Sequence, residues 1–247
     1  MLLRARGFEA AGVRHGFATR RGGVSAGAFA SLNLARDVGD DPDAVAENHA
    51  RLGRALGYAQ LFEVSQVHGE VIHEVGAGDD PALVRAREAD ALIAEGRGVA
   101  IGVRTADCLP LLLADPRAGL VAAVHCGWRG VASRLASKVV ARLLARGARP
   151  EALRAALGPH IRRSRFEVGE EVAAPLLAAA DGDARVIDRS RARPHVDLAA
   201  IVEGQLRTAG VVHVEDVGGC THAEPERFFS HRRDAGRTGR HLAVVVA

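Results

Sequence analysis

Three side chains suited to holding a metal stand at the ends of apolar runs. Cys108 closes TADC just before LPLLLAD, His125 closes LVAAVH, and His68 precedes a glycine in SQVHG. A thiolate and imidazoles together suit zinc, whose catalytic sites keep three protein ligands and one open position. The distance along the chain from Cys108 to His125 fits no zinc-finger spacing, so the ligands have to come from separate strands. The competing reading is a buried thiol and a hydrogen-bonded core histidine, and spacing alone leaves both open. Cys126 follows His125 directly. Neighbours on a strand face opposite ways, so only one of these two reaches a common site.

The elements that must position these residues are legible as patterns. ALIA, VAIGVRT, LPLLLAD and LVAAVH form a dense run of strands. Several are apolar without alternation, which predicts cover on both faces. GVRHGFATR reads as a first strand and HLAVVVA as a last. LFEVSQVHG and EVIHEVG read as a hairpin. VGDDPDAVAENHARLGRALG reads as a helix with Asp41 as N-cap, Pro42 at its first position and Gly57 at its end. GVASRLASKVVARLLARG reads as one long amphipathic helix, and GEEVAAPLLAAA as a helix kinked or shortened by Pro175. ARVID reads as a strand. With no linker and no internal repeat, the pattern points to one α/β domain, residues 1–247, with mixed sheets and helices outside.

Other motifs are weaker. GWRG leads from a strand into a helix, where free N–H groups and Arg129 suit an anion, or where Trp128 simply packs. GVSAG matches the nucleophile-elbow pattern around Ser25, but no helix follows it. His15, His49, His195, His213 and His241 read as solvated or capping. Arg232, Arg233, Arg237 and Arg240 crowd a turn-rich C-terminal stretch that suits an anionic ligand or plain solvent.

Composition excludes several classes. The 247 residues carry a formal charge of only +3, with arginines interleaved among acids and 4% aromatic residues, so no nucleic-acid surface is expected. No apolar stretch is long enough to span a membrane, and MLLRARGFEAAGVRHG has no secretory apolar region. Three cysteines make no disulfide framework. A reduced, cytoplasmic protein is expected.

SQVHG, ADALIA, RTADCLPLLLAD, AAVHCGWRG, FEVGEEV and FFSHRRDAGRTGR, in this order, resemble the YfiH-type proteins. That family was long labelled multicopper polyphenol oxidase or laccase domain. It is now described as purine nucleoside phosphorylase and includes a peptidoglycan editing factor. The resemblance implies an α-β-β-α sandwich, α/β (α+β) in class, and zinc held by His68, Cys108 and His125, with copper as the alternative. It implies phosphorolysis of adenosine, inosine and methylthioadenosine, with deamination of adenosine alongside. A peptidoglycan-precursor editing hydrolase is the alternative activity. A copper oxidase ranks last, because a laccase needs several linked coppers. Asp107 and Gln66 become candidates for proton transfer or for orienting ligands, and Asn33, Arg104 and Arg129 for substrate or phosphate contacts. The expected partners are a nucleoside and phosphate, and the expected state is a monomer or homodimer. The chain departs from the family pattern at Arg162, Arg163 and His222.

Overall fold

The computed structural model describes residues 1–247. Its strands are β1 Leu2–Leu3, β2 His15–Ala18, β3 Leu61–Phe62, β4 Ile72–Val75, β5 Ala91–Glu95, β6 Ala100–Thr105, β7 Leu109–Asp115, β8 Leu120–Cys126, β9 Arg154–Leu157, β10 Ile187–Asp188, β11 His195–Val196, β12 His213–Asp216 and β13 His241–Val246. Its helices are α1 Arg6–Ala10, α2 Pro42–Leu56, α3 Pro81–Arg85, α4 Trp128–Ala132, α5 Leu135–Ala145, α6 Glu170–Ala179 and α7 Leu198–Thr208.

Two mixed sheets form the frame. One has the order β1-β2-β13-β6-β3, the other β12-β9-β7-β8-β5-β4, and β10 and β11 make a separate ribbon. Strand alternation shows how they stack. On β7, Leu109, Leu111 and Leu113 join a core shared with α5 and α7, while Leu112 and Ala114 face a second core. On β13, Ala243 and Val245 face that same second core, whereas Leu242, Val244 and Val246 pack against Leu52 and Leu56 of α2. The layers are therefore helices, six-stranded sheet, five-stranded sheet, helix: the α-β-β-α sandwich. Cover on both faces explains why these strands are apolar throughout. Each fully buried Leu or Val contributes about 1.5–3 kcal/mol of burial.

Helix α2 forms as its ends predict. The Asp41 carboxylate accepts the Asp43 N–H, Pro42 follows it, and Gly57 closes the helix at φ 69°. Pro175 lies inside α6, which runs ten residues. No helix is long and apolar enough to cross a membrane.

Four expectations are corrected. Residues 61–76 form no hairpin: β3 pairs with β6 in one sheet and β4 with β5 in the other. The segment between them crosses from sheet to sheet, its N–H groups satisfied by a carboxylate rather than by a partner strand. The long helix is two, because Arg134 adopts φ 58° between α4 and α5. ARVID is a short 3-10 turn, Ala184–Val186, before a two-residue strand. His15, His195 and His241 are buried rather than solvated. His15 accepts the Ala5 N–H and His241 the Phe229 N–H. GVSAG lies in a loop, where the Ser25 hydroxyl is buried and accepts from Asn48.

Candidate metal centre and its cavity

One end of the space between the sheets is open, where β6 ends, β8 ends and β7 begins. Pro110 pairs with His125 and Leu109 with Cys126. Cys108 therefore lies just beyond the end of the β7–β8 ladder, beside His125. Alternation sends His125 toward the gap between the sheets and Cys126 into the helix-side core, where it is fully buried. His68 arrives from the crossing segment at φ 59°. The ligating atoms of His68, Cys108 and His125 lie within 4.8 Å of one another, and Cys108 Sγ is 3.8 Å from His68 Nε2. His125 is buried, Cys108 half-buried and His68 exposed.

Asp90 organises this cluster, and the sequence reading missed it. The side chain is wholly buried at the start of β5. Its Oδ1 receives His125 Nδ1–H at 2.7 Å and the His68 N–H at 3.0 Å. Its Oδ2 receives the N–H groups of Gly69 at 2.6 Å and Val67 at 3.2 Å. Consecutive N–H groups make a concavity for an anion, which fixes the His68 backbone in its left-handed turn. The signal was present in ADALIA, an acid embedded in a strand too apolar to bury it unpaired.

The charges follow from this geometry. Burial alone would raise the Cys108 thiol. The His125 charge and hydrogen bonds from His125 and His68 outweigh it and bring the thiol down to about 6. Burial would lower His125, but the Cys108 thiolate and the Asp90 carboxylate raise it to about 9. Burial also opposes ionisation of Asp90, yet the His125 hydrogen bond and the Gly69 and Val67 N–H groups hold it below the usual carboxylate range. Cys126, buried among apolar groups, is pushed well above an ordinary thiol.

The cluster opens into a cavity of about 370 Å³. Trp128, Ile161 and Phe166 give it an apolar wall. Arg104, Arg232 and Arg240 give it positive charge, and Asp37 and His231 also line it. Gln66 lines it as well, and its amide makes two hydrogen bonds to the Arg104 backbone, 2.7 Å and 2.8 Å. Asp107, at φ 96°, has both oxygens engaged. Oδ1 accepts the Thr221 hydroxyl at 2.6 Å and Oδ2 the Arg232 N–H at 2.7 Å.

Two sequence candidates lie outside the lining. Asn33 is fully buried, and its Oδ1 accepts the Arg240 N–H at 2.9 Å, so it acts on the cavity through Arg240. Arg129 is exposed and stacks 4.4 Å from the centre of the Trp128 ring. The family departures also fall outside. Arg162 forms a two-pronged pair with Asp216, Arg163 binds the Arg185 carbonyl, and His222 does not reach the cavity.

Residues 14–247 match the family described as multi-copper polyphenol oxidoreductase laccase. The chain belongs to this family. A purine nucleoside phosphorylase of Deinococcus radiodurans is 46% identical over 237 residues, 94% of this chain and 88% of that relative. The fold matches the hypothetical protein YfiH of Bacillus licheniformis with a TM-score of 0.93 at 28% identity, covering 99% of this chain and 96% of that one. It matches YlmD of Geobacillus stearothermophilus with a TM-score of 0.90 at 33% identity, covering 99% and 95%. The family's description speaks of copper oxidation and the relative's name of purine nucleosides. The His-Cys-His cluster is the only group of three or more such donors in the chain, and a laccase needs more than one copper site.

Proposed function

We propose that this protein is a zinc-dependent purine nucleoside phosphorylase acting on adenosine, inosine and methylthioadenosine, with adenosine deamination at the same site. The observation that carries this reading is a metal-suited cluster opening into a nucleoside-sized cavity with both an apolar and a cationic wall. Pockets of a few hundred Å³ suit ligands of this size.

The donor set fits zinc. Four-coordinate zinc, with bonds of about 2.0–2.3 Å, separates its ligand atoms by about 3.3–3.8 Å. The His68–Cys108 separation of 3.8 Å is at the top of that range, and all three donor atoms lie within 4.8 Å of one another. A depressed thiol suits metal binding, since the thiolate is the ligand. Nδ1–H of His125 is spoken for by Asp90, which leaves its Nε2 to bind. Copper is the alternative occupant on affinity. Bound zinc supplies Lewis acidity at the cluster's open side.

The chain's own residues do the rest. Trp128, Ile161 and Phe166 exclude water from one side and offer the purine a flat apolar bed. Gln66 fixes Arg104 by its backbone. Asp107, with both oxygens occupied, holds the segment bearing His231 and Arg232 against the cavity rather than serving as a free base. In the reaction the C1′–N9 bond breaks with its electron pair passing to the purine. A phosphate oxygen bonds to C1′, and the proton of hydrogen phosphate ends on the purine. The three cysteines are unpaired, which suits action in a reducing cytoplasm.

The test is incubation of zinc-loaded protein with adenosine, with and without phosphate, and separation of the products. Adenine formed only with phosphate, plus inosine in both, supports the reading. Neither product under either condition overturns it.

A further inference from the structure

We propose that the phosphate co-substrate is held by Arg240, with Arg104 beside it, rather than by the helix start at Arg129. This rests on the phosphorylase reading.

The three arginines lining the cavity are not equivalent. Arg104 shares the buried Glu63 carboxylate with Arg36, at 3.8 Å and 3.0 Å. Arg232 also lacks a carboxylate partner for its guanidinium, but it is exposed, lies over the Phe166 ring at 5.7 Å and donates to the Glu167 carbonyl. Arg240 is half-buried and has no carboxylate within 4.0 Å, although Asp37 and Asp107 line the same cavity. Its side-chain hydrogen bonds run to two carbonyls and an imidazole, none of them a carboxylate. Nη1 donates to the Thr238 and Gly239 carbonyls at 2.9 Å and 3.1 Å, and Nη2 faces His231 Nδ1 at 3.4 Å. Nε has no protein partner.

A half-buried cation with no carboxylate in contact, only Asp37 and Asp107 at longer range, gains when an anion binds directly. Burial accordingly pulls the Arg240 guanidinium below its ordinary value. The guanidinium fork matches two oxygens of a phosphate. Its placement is fixed beforehand. Asn33 Oδ1 accepts the Arg240 N–H, and the Arg240 carbonyl accepts the Leu34 N–H at 3.1 Å. Arg129, by contrast, is exposed, stacks on Trp128 without lining the cavity and belongs to a helix of five residues.

The test compares Arg240→Gln and Arg240→Lys with wild type and with Arg117→Gln, an exposed arginine of a different cleft. Inorganic phosphate is titrated against each protein by 31P NMR without nucleoside. The phosphate and nucleoside KM values and the zinc content are measured alongside. Circular dichroism confirms that each variant is folded. Arg240→Gln should weaken phosphate binding and raise the phosphate KM by about 10- to 100-fold, the loss of a charge-assisted contact. The nucleoside KM and zinc content should stay within about twofold. Arg240→Lys should recover part of the loss, and Arg117→Gln should match wild type. Unchanged phosphate binding in Arg240→Gln overturns the assignment. If wild type turns out not to need phosphate for base release, the phosphorylase reading fails. The titration then judges the anion site alone: binding lost in Arg240→Gln upholds it, and no binding to wild type overturns it.

Discussion

The Asp90 carboxylate takes the ring N–H of His125 at 2.7 Å, and the Asp90 backbone carbonyl accepts the His125 N–H at 2.8 Å. One residue thus fixes both the backbone and the ring tautomer of a candidate ligand. With its other contacts it also fixes the turn that presents His68. Replacing it by Asn keeps the shape but turns an acceptor into a donor at one position. Asp90→Asn should weaken zinc binding by about 10- to 100-fold, read by competition against a chelator of known affinity. Wild-type affinity in a folded variant would remove Asp90 from its positioning role.

Gly127 gives a steric test of the same site. A Cβ there would sit 2.9 Å from His68 Cδ2 and 3.5 Å from Cys108 Sγ. The backbone, at φ −66°, accepts alanine without strain. Gly127→Ala should displace the His68 ring and lower zinc affinity by at least tenfold, about 1.4 kcal/mol. The unfolding midpoint should change little. Equal affinity would mean that His68 is not held against Gly127.

The thiols should separate by chemistry. Cys108, half-buried with its thiol near 6, should react quickly with iodoacetamide in zinc-free protein at pH 7, and zinc should protect it. Cys126, fully buried, should react only on unfolding. Cys108→Ser should abolish tight zinc binding yet fold. Cys126→Ala should bind zinc and lose about 1 kcal/mol of stability. The reverse pattern would exchange the two roles.

Stability should fall in mild acid. Burial lowers His160 to about 4 and His241 to about 3, against an ordinary histidine value of 6.5. Below 6.5 the unfolded chain takes up protons that the folded chain refuses, so stability rises with pH across that window. The histidine contribution is complete above 6.5 and lost progressively as the pH falls toward 4 and 3. Each histidine contributes a slope of at most about 1.4 kcal/mol per pH unit. Urea unfolding between pH 7 and 4.5 should show the decline, and His160→Gln should flatten it. An identical slope in that variant would mean His160 is not the cause.

How much of this was readable beforehand depends on how local each signal was. The α2 caps were legible because Asp41, Pro42 and Gly57 act within one helical turn. The apolar strands and the opposite facing of His125 and Cys126 follow from period two alone. The supposed hairpin over residues 61–76 was not legible, because what redirects the chain is Asp90, some twenty residues on. Asn33 and Arg129 illustrate both sides of the same limit. Asn33 reaches the cavity only through a hydrogen bond to Arg240 across 207 positions. Arg129 sits one residue from the cavity-lining Trp128 yet is exposed and does not line the cavity. Arg240 stood out in sequence only as one of a crowd. Its half-burial without a carboxylate partner, which singles it out from paired Arg104 and exposed Arg232, is a fact of three dimensions.

The most direct test of phosphorolysis follows the phosphorus itself. Zinc-loaded protein is given inosine and inorganic phosphate, and 31P NMR is recorded while hypoxanthine is measured in the same tube. The phosphorylase reading predicts a new phosphomonoester signal that grows mole for mole with free hypoxanthine, and neither product with His68→Ala. Hypoxanthine released with no phosphoester would show that water, not phosphate, takes the sugar, and would contradict the reading.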